Sequence, residues 1–106
     1  MADLLDAAPL FAALGDETRL ALVSRLAEGG PLSIARLTDG TGITRQAVTK
    51  HLTVLAGAGL VRDERHGRER IWQLDAARFE IARRYLDMVS KRWDDALSRL
   101  RRYVEE

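Results

Sequence analysis

Apolar and polar positions along the chain change period twice, and the changes mark its elements. Residues 4–14 are apolar-rich and predict a helix, with Pro9 near its first turns, where proline is best tolerated. Asp16 offers an N-cap to a second helix over about residues 17–28. Leu20, Val23 and Leu26 or Ala27 predict its buried stripe, and Gly29-Gly30-Pro31 stops it. Ser33 suits the cap of a short helix over residues 34–38, ending at Asp39-Gly40. Thr44 suits the cap of another from Arg45 to about Ala56, closed by Gly57 and Gly59. Two short helices joined by a glycine-containing turn make a helix-turn-helix pattern over residues 33–56.

The helical period then lapses. Residues 60–65 and 68–74 are extended in character, with Val61, Ile71 and Trp72 among them, and His66-Gly67 suits a two-residue hairpin loop. That register sets Val61 against Trp72 and Asp63 against Arg70, and it also opposes Glu64 and Glu69, which is unfavourable. From Asp75 the helical period returns in one long helix over residues 76–104. Phe79, Ala82, Leu86, Val89, Trp93, Ala96, Leu100 and Tyr103 alternate spacings of three and four, an a/d seam over about three heptads. A helix of this length spans roughly 40–45 Å, more than a small domain can cover with its own core. The predicted fold is mainly α with a small β-hairpin: one winged helix-turn-helix domain over residues 1–106, with the hairpin at 60–74 as the wing and the seam of the last helix left for a partner to cover.

Composition narrows the function. A chain of 106 residues is one domain by length, and 46% hydrophobic with 31% charged residues describes an ordinary globular protein. The absence of cysteine excludes disulfides and thiolate metal sites and suits a reducing cytoplasm. The start MADLLDAAPLFAALGDE is acidic where a secretory signal needs a basic region, and no apolar run reaches membrane-spanning length, so a cytoplasmic protein with no membrane partner is expected. The formal net charge of +1 hides an uneven distribution. Residues 1–43 hold 3 Lys/Arg against 6 Asp/Glu, residues 44–72 hold 6 against 3, and residues 73–106 hold 8 against 7. The positive excess lies in the middle third, where it would matter to a polyanion.

That third also carries the candidate chemistry. Wound at about 100° per residue, residues 45–56 turn Val48, Leu52 and Leu55 inward, with Ala47 and His51 on the flank. Arg45, Gln46, Thr49, Lys50 and Thr53 fall on the other arc, with no carboxylate among them. These are the side chains that read duplex DNA: Arg pairs with guanine, Gln with adenine, Thr meets a base edge or a thymine methyl, and Lys neutralises phosphate. Thr44 joins them at the helix N-terminus, whose partial positive charge favours a phosphate. Arg65, His66, Arg68 and Arg70 form a second basic cluster around the hairpin tip. A wet tip explains any single arginine; three around one tip, next to a donor-rich helix, point to double-stranded DNA.

The segments LFAALGDETRLALVSRLAEGGPLSIARL, TRQAVTKHLTVLAGAGLV and RERIWQL resemble the ArsR-type winged-helix repressors, a bacterial family of transcription factors. The resemblance runs from about Pro9 to Leu74 by motif and onward by the terminal helix. It implies that the helix at 44–56 enters the major groove, that the hairpin is the wing, and that the first and last helices pair two subunits. The implied homodimer interface includes Leu10 with the seam residues from Phe79 to Tyr103. One departure matters. Many members sense metals through cysteines in the first helix of the motif or carboxylate/His sets on the terminal helix. Here the segment IARLTD has no cysteine, and Asp87, Asp94 and Asp95 have no histidine beside them on the terminal helix. His51 reads as a packing or hydrogen-bonding residue and His66 as a turn residue that also touches DNA, so no metal and no cofactor are expected.

An enzyme is the rival of another class, and the residues do not support one. Asp94-Asp95 diverge on their helix, Gly57-x-Gly59 follows a helix where a phosphate loop must precede one, and no Ser or Thr has an evident histidine partner. A winged helix that binds protein would show apolar anchors on the arc from Arg45 to Thr53, and none stands there. That protein-interaction module and a sensor of small apolar molecules around Tyr85, Val89 and Trp93 are the two alternatives. The expectation is a dimeric repressor that reads a pseudo-palindromic operator with half-sites about one helical turn apart; any effector is left undefined.

Overall fold

The computed structural model describes residues 2–105, and the side chains of residues 6–105. Helix α1 (Ala2–Leu14) begins two residues earlier than the apolar run suggests, which places Pro9 inside the helix instead of near its start. The next three helices each begin at a capping side chain. Asp16 accepts the Arg19 N–H at 3.0 Å and starts α2 (Glu17–Gly29). Leu32–Ser33 is a two-residue strand, β1, and the Ser33 hydroxyl accepts the Arg36 N–H at 3.3 Å to start α3 (Ile34–Thr38). Thr44 accepts the Ala47 N–H at 3.1 Å and starts α4 (Arg45–Gly57). Such caps satisfy amide donors that have no carbonyl partner in the first turn.

Helix α4 ends in a Schellman motif: Leu60 N–H reaches the Leu55 carbonyl at 3.0 Å and Gly59 N–H the Ala56 carbonyl at 2.9 Å. The reversal puts Gly59 at φ +79° and drops Leu60 into the core beside Leu55. The chain then enters β2 (Val61–His66), β3 (Glu69–Leu74) and the terminal helix α5 (Ala76–Glu105).

The wing differs from its sequence reading in register. Val61 pairs with Leu74, Asp63 with Trp72, Arg65 with Arg70 and His66 with Glu69. The loop is therefore Gly67-Arg68, with His66 still in the strand. Gly67 occupies the first loop position at φ +64°, a conformation a histidine adopts only with strain. The shift also separates Glu64 from Glu69. Strand β3 is central to a three-stranded antiparallel sheet of order β1-β3-β2, in which Leu32 opposes Trp72. Two residues are too few to show a strand period, so the sequence reading held no β1.

Leu10, Leu22, Leu37, Val48, Leu52, Leu55 and Leu60 form the fully buried centre, closed by Trp72 of the sheet. Leu22 and Leu26 carry the buried side of α2, while Leu20 is 51% exposed, so the predicted stripe is rotated. Helix α5 packs on α1 only through its first turns: Ala82 is its one buried residue, and Tyr85 meets Phe11 at a centroid distance of 5.5 Å. Beyond that, α5 projects, stretching the molecule to 66 × 30 × 20 Å. Leu10 and Ala82, read from sequence as interface residues, are consumed by this internal core. Among the described residues no helix is long and apolar enough to cross a membrane.

Candidate nucleic-acid interface

Helix α4 is held from behind. Val48, Leu52 and Leu55 are fully buried, fixing its rotation against α1, α2 and α3. Its orientation is tied further at Asp16, Arg19 and His51: the Arg19 guanidinium bonds the Ala13 carbonyl and lies 3.3 Å from His51 Nδ1, with Asp16 at 3.7 Å from the same nitrogen. His51 thus joins α4 to the start of α2. The Arg19 amide N–H bonded to the Asp16 carboxylate, helped by the nearby Arg19 guanidinium charge, holds that carboxyl below the ordinary aspartate range.

With the rotation fixed, Gln46, Lys50 and Thr53 stand exposed on the outer side and Thr49 is half-buried beside them. The threonine hydroxyls are engaged: Thr49 donates to the Arg45 carbonyl and Thr53 to the Thr49 carbonyl, both at 2.8 Å. Their protons serve the helix, so what they offer outward is an acceptor oxygen and a methyl group. Val54, 46% exposed, stands at the edge of the arc beyond Lys50. Arg45 is exposed as well, at the edge of that arc: it precedes Leu52 by seven residues, within about 20° of the same azimuth, so it emerges beside the junction of α4 with its neighbours. There it lines one depression with Arg36 and the turn at Asp39-Gly40, and another with the wing.

The helix-turn-helix turn is fastened by a residue that sequence reasoning passed over. Arg25 donates to the carbonyls of Arg36 at 2.8 Å, Leu37 at 2.9 Å and Asp39 at 2.6 Å. One guanidinium thereby supplies partners for the free carbonyls at the end of α3. On the wing, Arg65, His66, Arg68 and Arg70 are all exposed. Asp63 pairs with Arg70 at 2.9 Å and Glu64 with His66 at 3.4 Å, whereas Arg65 and Arg68 have no ion pair among the described residues. No three His, Asp or Glu side chains converge as a metal-ligand set among the described residues.

Residues 14–64 match the helix-turn-helix domain family. An HTH-type transcriptional regulator of Mycobacterium tuberculosis is 42% identical over 86 residues, covering 81% of this chain and 77% of that protein. The HTH-type transcriptional repressor SmtB of the same organism is 35% identical over 96 residues, covering 90% of this chain and 69% of the relative. Among solved structures, an ArsR-like transcriptional regulator from Rhodococcus sp. RHA1 superposes with a TM-score of 0.76 at 30% identity, over 96% of this chain and 95% of that one.

Proposed function

The chain belongs to the ArsR-type family of winged helix-turn-helix, DNA-binding transcriptional regulators, and we propose that it acts in the cytoplasm as a homodimeric repressor of a pseudo-palindromic operator. The observation that carries the DNA-facing part is the outer side of α4. It presents Gln46, Lys50 and Thr53 to solvent on a helix with no acidic residue, beside a wing whose Arg65 and Arg68 are unpaired among the described residues. Gln46 suits an adenine edge, and Thr49 and Thr53, with their hydroxyl protons spent, suit a thymine methyl or an exocyclic amine. Lys50 and the wing neutralise phosphates and fix the register. The repressor role follows the relative SmtB, which carries that description.

The dimer reading rests on the projecting half of α5, where Leu86, Trp93, Leu100 and Tyr103 are more than half exposed. Two copies joined there would present two α4 helices to successive major grooves, about one helical turn apart. The test is fluorescence anisotropy of the protein against a duplex from upstream of its own gene and a scrambled duplex, at several salt concentrations. Tighter binding to the native duplex, weakening steeply with salt through counterion release, is expected. Failure to bind either duplex at low salt would sink the reading.

A further inference from the structure

Between α3, the start of α4 and the wing lies an open groove of about 290 Å³. Arg45, Arg65, Arg68 and Arg70 line it, with Glu69 the one carboxylate among its lining residues. Arg65 and Arg70 oppose each other directly across the β-ladder. Like charges so placed repel, and only Arg70 has a carboxylate at hand, Asp63 at 2.9 Å. An anion seated between them removes the repulsion. Arg45, exposed on the first turn of α4, completes the set by lining the groove from the edge of the arc of Gln46, Lys50 and Thr53.

We infer that this groove seats a backbone phosphate of the bound duplex, and that Arg45 clamps that phosphate together with the wing arginines instead of reading a base. The inference rests on the DNA-binding reading above and divides its residues. Gln46 discriminates sequence, Arg45 supplies affinity blind to sequence, and Glu69 opposes the phosphate and limits affinity. A phosphate needs charge more than a fork of donors, so lysine can replace arginine there; a guanine edge needs the fork.

The experiment is the same anisotropy titration on native and scrambled duplexes with Arg45→Ala, Arg45→Lys, Gln46→Ala and Glu69→Gln, each checked for wild-type helicity by circular dichroism. Arg45→Ala is expected to weaken both duplexes by the same factor, about tenfold, and to flatten the salt dependence by about one unit. Arg45→Lys restores most of the loss. Gln46→Ala lowers the native-to-scrambled ratio with little change in salt dependence, and Glu69→Gln tightens both duplexes. Loss of the ratio in Arg45→Ala, unrescued by lysine, would make Arg45 a base reader and overturn the inference. Unchanged binding in Glu69→Gln would put the groove off the path of the DNA. A wild-type protein that binds neither duplex would instead remove the DNA-binding reading beneath it.

Discussion

Gly57 and Gly59 look alike in the sequence and do different work. Gly59 holds φ +79°, and a Cβ there would come within 2.9 Å of the Arg78 guanidinium Nε. An L-residue in that backbone conformation costs about 1–2 kcal/mol, and displacing Arg78 adds to it. Gly57 has helical geometry with open space where a Cβ would go. Alanine there lowers the entropy of the unfolded chain and favours the helix by about 0.5–1 kcal/mol. Gly59→Ala is therefore expected to destabilise and Gly57→Ala to stabilise, read as opposite shifts of the urea midpoint with unchanged slope. Equal shifts in one direction would mean that the Schellman geometry does not govern this junction. The threonines make a similar distinction between residue type and role. Thr49 and Thr53 were legible as lying off the buried side of α4, but that their hydroxyl protons serve the α4 backbone depends on a rotamer that no sequence pattern encodes.

At the scale of elements, what was legible is what is local. Asp16, Ser33 and Thr44 each bind an amide three residues on, so the starts of α2, α3 and α4 could be read from four-residue windows. The hairpin was legible too, but its register was not: two loops containing Gly67 compete, and they differ only in which loop position the glycine takes. Strand β1 and the rotation of α2 lay out of reach because each depends on a distant partner, Leu32 on Trp72 and Leu22 on the shared core. Arg25 is the clearest such case. It reads as one more polar helix residue, yet it fastens the end of α3 across 11 to 14 residues of chain. Arg25→Met keeps the aliphatic stem and removes the donors, leaving the carbonyls of Arg36, Leu37 and Asp39 to find other partners. Amide exchange in the turn at residues 39–43 is expected to quicken while the middle of α4 stays protected, and DNA affinity is expected to fall. Uniform exchange at the wild-type rate would show that the turn holds without its clamp.

Taken whole, the molecule places its most exposed large apolar side chains on one projecting helix. Trp93 is 65% exposed, Leu100 57% and Tyr103 80%, and at helical spacing they share a face with Leu86 and Val89. Leu97 and Val104, at 43% and 73% exposure, widen that face past a two-helix seam. Arg92 and Arg99, seven residues apart along its other border, would face each other across a simple antiparallel pair of α5 helices. Width and charge both favour a partner that covers the face with more than one helix, and a second copy offers α1 as well as α5. A contiguous apolar strip of this kind is rarely left in water by a monomer. Trp93→Glu and Leu97→Glu should each yield a monomer in sedimentation, whereas Lys91→Glu, on the opposite side of α5, should leave the dimer intact. Because operator affinity gains from binding two half-sites at once, the monomeric variants should lose most binding to the full operator while keeping weak binding to a single half-site. A dimer that survives both glutamates would move the interface off α5 and would leave the exposed strip to some other partner.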